Sequence, residues 1–138
     1  MAYYSRDNAE QVYGVTAIRD WANLERGDVT DESVLADITA RINTIGAWVD
    51  AEIDEHAIQA NYQIPLVNSS GATPATIQHL AAVLLGVWLY EAMGNFDIDP
   101  NTKQVVHRFV FREQWARQVL EEIKSGDRKV DAAPYCRT

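Results

Sequence analysis

Cysteine is nearly absent from this chain of 138 residues, because Cys136 is the only one. One cysteine cannot form a disulfide bond within its own chain, so the core must be stable without a covalent cross-link. This composition fits a protein that folds in a reducing compartment.

Basic residues are scarce in the first half of the chain. Residues 1–60 contain twelve acidic and four basic side chains, no Lys or Arg lies between Arg41 and Lys103, and the net charge is -8. Proteins bind nucleic acid chiefly by neutralising phosphates with Lys and Arg. Ordinary nucleic-acid binding is therefore disfavoured, and a solvated acidic surface that aids solubility is the simplest interpretation.

Targeting and membrane signals are also missing. The N-terminal segment MAYYSRDNAE does not show the basic and then apolar pattern of a secretory signal. The longest apolar run, Leu80–Tyr90, is shorter than the about 20 residues that cross a bilayer. We expect neither secretion by a signal peptide nor a membrane span.

Motifs for catalysis and metal binding are lacking as well. The three histidines, His56, His79 and His107, form neither Glu-x-x-His nor His-Glu-x-x-His, and the acidic loop around residues 25–32 lacks the ligand order of a calcium site. There is no nucleophile elbow and no phosphate-binding glycine loop. The sequence predicts no enzyme activity, no metal and no cofactor.

What the chain does have is apolar residues at helical spacing. Hydrophobic residues make up 47% of the sequence, which is enough for one packed core at this length. From a cap at Thr30 or Asp31, a long amphipathic helix is predicted to run to about His56. Its apolar stripe is Val34, Ile38, Ile42, Ile45, Val49 and Ile53.

A second helix, over residues 74–93, is apolar on all sides and must therefore be central. It is predicted to start after Thr73 and to stop at Gly94, and Gly86 should allow a neighbouring segment to approach closely. A third long helix is predicted from Pro100 to Ser125, with Gly126 as its stop.

The remaining segments complete an all-α prediction. Ser5 and Thr16 are expected to cap two short helices, and residues 60–72 should form an extended loop or a short hairpin. The predicted fold is a small helical bundle, with residues 1–126 as one domain and residues 127–138 as a flexible tail.

Four segments, read in order, resemble the small phage head-tail connector proteins, in particular the head completion adaptors related to that of phage Mu. They span residues 24–130, about four fifths of the chain, and are LERGDVTDESVL (24–35), AEIDEHAIQANYQIPL (51–66), TPATIQHLAAVLLGVWLYEAMG (73–94) and FREQWARQVLEEIKSGDRKV (111–130). The aromatic-rich run at residues 95–111 and the tail beyond Val130 depart from the family pattern.

The resemblance implies a structural subunit of the virion neck that is assembled in the host cytoplasm. Such subunits form a ring, typically twelvefold, that docks on the portal protein, extends the DNA channel and provides a platform for the stopper or tail-completion protein. Genomic DNA would pass through the ring without specific binding.

Three sets of residues are predicted to serve this function. Acidic residues near the end of the first long helix, which local stability does not explain, would repel DNA phosphates from a channel wall. The tail would fold onto the portal, and the loop at 60–72 would contact the next subunit. The sets are Asp50, Asp54 and Glu55 for the channel; Arg128, Lys129, Val130 and Tyr135 for the tail; and Tyr62, Pro65 and Leu66 for the loop.

Two other functions stay open at the sequence level. The first is a small helical binding or regulatory module of phage or bacterial origin, which would need only one modest binding patch. The second is an enzyme with a site that no motif reveals.

Overall fold

Five helices account for most of the chain in the computed structural model, which describes residues 2–94, 97–98, 100–102, 105–106 and 109–132. The all-α bundle predicted from the sequence is confirmed. Its helices are α1 (Arg6–Tyr13), α2 (Val15–Ala22), α3 (Glu32–Gln59), α4 (Ala75–Ala92) and α5 (Val110–Ser125).

The two short helices share one glycine. Ser5 caps α1 as predicted, since its hydroxyl accepts a hydrogen bond from the Asn8 amide at 3.4 Å. The predicted Thr16 cap is wrong, because α2 already begins at Val15. Gly14, at a φ of 99°, ends α1, and its carbonyl accepts the first hydrogen bond of α2 from the Ile18 amide.

The long helix α3 follows the predicted pattern. The Asp31 carboxylate caps it by accepting from the Ser33 amide at 2.9 Å. The helix ends at Gln59, three residues later than predicted. Its apolar stripe from Ile38 to Ile53 is buried. This stripe faces α4, which lies at the centre of the bundle and contacts every other helix.

Helix α4 is the core of the fold. It has the length and mean hydropathy of a membrane-spanning helix, but 61% of it is buried within the protein, as expected for a core helix. The predicted close approach at Gly86 is confirmed, because a Cβ atom placed there would overlap the Tyr13 ring. The Tyr13 hydroxyl donates to the Val83 carbonyl at 2.8 Å, which holds α1 on this part of α4.

The last helix begins ten residues later than predicted. Val105 and Val106, expected on α5, form β2 (Val105–Val106), which pairs antiparallel with β1 (Asp97–Ile98). β-Branched residues lose side-chain freedom in a helix and favour strands, which explains the difference. Residues 60–72, predicted as an extended loop or a short hairpin, form a loop that contributes no strand to this hairpin.

A cluster of four aromatic rings joins the start of α5 to three other helices. Phe109 makes edge-to-face contacts with Tyr13, Trp21 and Tyr90, with ring centroids 5.0–5.3 Å apart. The cluster ties α1, α2 and α4 to the segment that enters α5. Helix α5 therefore starts from a fixed point on the bundle.

Candidate interaction surfaces

Asp50 and Asp54 hold the N-terminal segment on α3. One carboxylate oxygen of Asp50 accepts from the backbone amides of Tyr3 and Tyr4, each at 3.1 Å. The Tyr3 hydroxyl donates to Asp54 Oδ1 at 2.5 Å and accepts from the Leu66 amide at 2.8 Å. Tyr3 thus joins the N-terminal segment, α3 and the loop after α3; we call this group the Tyr3 junction.

The junction corrects the premise on which the channel residues were chosen. Local helix stability does not account for Asp50 and Asp54, but both accept hydrogen bonds from partners 46–51 residues away. Their position near the end of α3 is explained by these partners. Glu55, the third predicted channel residue, is exposed.

Burial raises the pKa values of two groups in the Tyr3 junction. It raises the pKa of the Asp50 carboxyl, and the nearby Asp54 carboxylate adds to this, while the two backbone amides act in the opposite direction. Burial and the hydrogen bond to Asp54 also raise the pKa of the Tyr3 hydroxyl, which therefore stays protonated as a donor.

We expect Asp50→Asn to change the pH dependence of stability. A carboxyl with a raised pKa favours the folded state at low pH, and this contribution is lost as the pH rises through the pKa of the folded state. Asparagine can accept the same two hydrogen bonds without titrating. The stability of the variant relative to the unchanged chain should therefore increase between about pH 3 and about pH 7 in urea unfolding.

Asp37→Asn is the matched control, because Asp37 is an exposed acid on the same helix. It reports the effect of removing an exposed negative charge from α3, whereas Asp50 is half-buried. A stability difference for Asp50→Asn that stays constant or falls with pH would contradict the prediction.

Part of the predicted inter-subunit loop packs within its own chain. Leu66 is 0% exposed and lies in the core, so its prediction as a contact for another subunit is wrong. An apolar side chain that follows Pro65 in an extended segment can turn inward, and the Tyr3 hydroxyl fixes its backbone. Tyr62 is half-buried, and Pro65 is exposed and follows a cis peptide bond.

The first residues of the predicted tail lie against the bundle. The Val130 side chain is 8% exposed, and its amide donates to the Tyr62 hydroxyl at 2.9 Å. Arg128 pairs with Glu122 of α5 at 2.9 Å, while Lys129 is exposed. The structure therefore differs from the prediction for residues 127–132, and Tyr135 lies outside the described residues.

The histidines do not form a metal site in the described part of the chain. His56 lies between the carboxylates of Glu52 and Glu121, each 3.8 Å away, and so connects α3 to α5. The His79 ring packs on Trp115 with centroids 5.0 Å apart. No group of three potential metal ligands occurs among the described residues, and His107 lies outside them.

Two large apolar side chains of α3 and one of α5 are more than half exposed to solvent. Trp48 is 56% exposed, Ile58 is 54% exposed and Phe111 is 80% exposed. None of the three was predicted as a functional residue. For Trp48 and Ile58 the available signal was their position off the apolar stripe of α3, because a large apolar residue on the polar side of an amphipathic helix has no partner within its own chain.

Phe111 lies at the edge of an open groove between α4 and α5, which we call the aromatic groove. Its volume is about 330 Å³, and it is lined by His79, Val83, Phe111, Arg112 and Trp115. The Arg112 guanidinium also lies 5.2 Å from the centre of the Tyr13 ring. The aromatic groove therefore combines apolar walls with one exposed positive charge.

A second groove, of about 300 Å³, separates the loop after α2 from the first half of α3. Val34 and Ile38 form its apolar side, and Arg41 and Asp37 its polar side. The Arg41 Nε atom is buried, and no hydrogen-bond partner for it occurs among the described residues. This groove has space for a small polar group.

Comparison of the chain with family models, with curated proteins and with solved structures finds no match.

Proposed function

We propose that the chain is a structural subunit of a phage particle, a head-tail adaptor that forms a ring on the portal protein and extends the DNA channel toward the stopper or tail. Two observations support the proposal. Four segments, read in order, resemble head completion adaptors, and the surface of the bundle carries exposed apolar side chains. Neither catalysis nor a cofactor enters the proposal.

The observation that carries the proposal is the set of exposed apolar side chains on the two long outer helices. Trp48, Ile58 and Phe111 are more than half exposed. Large apolar residues on a surface commonly mark contacts with other proteins, and exposed aromatic residues are frequent anchors of such contacts. A subunit that is covered on several sides in an assembly needs such residues.

Hydrogen bonds and ion pairs within the bundle reduce the number of residues that we propose for the channel wall and for the portal contact. Asp50 and Asp54 serve the Tyr3 junction, so Glu55 is the acid that we propose for the channel wall. An exposed carboxylate repels phosphates and does not retain passing DNA. For the tail, the portal contact is assigned to Lys129 and to the segment after Ala132, because Val130 and Arg128 already have partners in the bundle.

The groove beside Arg41 favours the second candidate, a small binding or regulatory module. A buried guanidinium nitrogen without a partner among the described residues suits a carboxylate from a peptide or a small molecule. Such a protein would function with one partner and would not need the exposed residues on both α3 and α5.

Co-purification with the portal protein encoded beside it tests the adaptor function. We expect the chain to elute with the portal as one large complex, whereas a regulator would elute alone. Truncation after Ala132 keeps Val130 in the core and should weaken the complex if the end of the chain binds the portal. Separate elution of the full chain would contradict the proposal.

A further inference from the structure

We infer that each copy of the chain docks on the next by inserting its Trp48 side chain into the aromatic groove of the neighbour. The inference rests on the proposed function, since a ring needs contacts between identical copies. It adds the two surfaces that meet and the direction of the contact.

Trp48 has the surroundings of an interface anchor. It lies near the middle of α3. Among its neighbours on this side of the helix, Thr44, Ala47 and Ala51 are small, and Glu52 is the larger one. Small side chains allow another surface to approach the helix closely, and the Trp48 side chain is 56% exposed there. Exposed tryptophans in such positions supply a large share of binding energy in protein interfaces.

The aromatic groove is suited to an indole ring. Val83, which is buried, contributes aliphatic lining, and Trp115 and Phe111 provide rings for edge-to-face contacts. Arg112 provides a cation that can lie on the face of an incoming tryptophan. An apolar ring that enters this groove would also cover Phe111, the most exposed large apolar residue described.

Charge favours this contact over the pairing of two α3 helices. Helix α3 contains six acidic residues and one arginine, so two copies of it side by side would repel each other. The lining of the aromatic groove contains Arg112 and no acidic residue. On α5, Glu113 and Glu122 are already paired with Arg117 and Arg128. Glu52, one turn after Trp48, would meet a surface with available positive charge.

The positions of the two surfaces also allow subunits to be added one after another. Trp48 and the aromatic groove lie on different helices and share no residue, so one copy can insert its tryptophan and receive another at the same time. A contact between two different surfaces is heterologous, and it produces a closed ring when the rotation between copies closes. The inferred contact is therefore consistent with a ring.

Sedimentation velocity of the full chain over a range of concentrations tests the inference. The unchanged chain should self-associate, and Trp48→Ala and Phe111→Glu should each raise the dissociation constant by at least about tenfold. Both residues are exposed, so circular dichroism should show an unchanged fold. Val15→Ala is the matched control, because Val15 is an apolar residue of α2, 60% exposed and outside both surfaces, and it should have no effect.

A mixture of the two weakened variants identifies the direction of the contact. The Trp48→Ala copy retains its groove and the Phe111→Glu copy retains its tryptophan, so together they should form a one-to-one dimer that does not grow further. No recovery on mixing would mean that like surfaces meet, and it would overturn the inference.

Two further results would also overturn it. One is self-association of Trp48→Ala at the strength of the unchanged chain, and the other is an unchanged chain that stays monomeric at every concentration reached. Rings of Trp48→Ala on the portal would refute this contact and leave the adaptor function standing. Absence of a ring when the unchanged chain is mixed with the portal would refute the function itself.

Discussion

Removal of the Tyr3 hydroxyl group by Tyr3→Phe is expected to lower the free energy of unfolding by about 2 kcal/mol. The hydroxyl accepts from the buried Leu66 amide and donates to the Asp54 carboxylate. Phenylalanine fills the same space but leaves both groups without this partner, and an unsatisfied buried group costs about 1–3 kcal/mol. Urea unfolding followed by circular dichroism measures the loss.

Tyr4→Phe is the control for this result. The neighbouring Tyr4 hydroxyl donates to Asn43 at 3.0 Å in an exposed position, where water can replace it. Its removal should cost less than about 0.5 kcal/mol. Equal losses for the two variants would show that the Tyr3 junction does not hold the N-terminal segment as described.

Gly86→Ala is expected to destabilise the protein by about 2 kcal/mol, although alanine favours helices more than glycine does. A methyl group at position 86 would overlap the Tyr13 ring, which lies directly against the α4 backbone. Relief of the overlap would move Tyr13 away from the Val83 carbonyl and from the aromatic cluster at Phe109. Thermal and urea unfolding both report this change.

The same substitution in a Tyr13→Leu background separates overlap from helix propensity. Without the ring, Gly86→Ala should be neutral or should stabilise the protein by up to about 1 kcal/mol. If Gly86→Ala costs the same in both backgrounds, the close approach between α1 and α4 is not the cause.

Local patterns in the sequence were sufficient for the two longest helices. The stripe from Ile38 to Ile53 repeats at helical spacing, and Asp31 caps the helix by accepting from the amide of Ser33, two residues later. Both signals come from neighbouring residues, so α3 could be predicted from the sequence. The start of α4 after Pro74 was equally local. Val105 and Val106 fell within the helix predicted from Pro100, yet these β-branched residues pair with Asp97–Ile98.

The interaction surfaces were less predictable because they depend on distant partners. Nothing near Asp50 indicates that it binds the backbone of Tyr3 and Tyr4, which lie 47 and 46 residues away. Leu66 and Val130 have similarly remote partners, the hydroxyl groups of Tyr3 and Tyr62. The aromatic groove combines residues of α4 and α5, so its shape exists only after those helices pack.

Electron cryo-microscopy of the chain bound to the portal protein tests the central claim most directly. We expect a closed ring of identical subunits, coaxial with the portal, whose channel continues that of the portal. A single bound copy, a position away from the channel, or a portal with no density for this chain would contradict it.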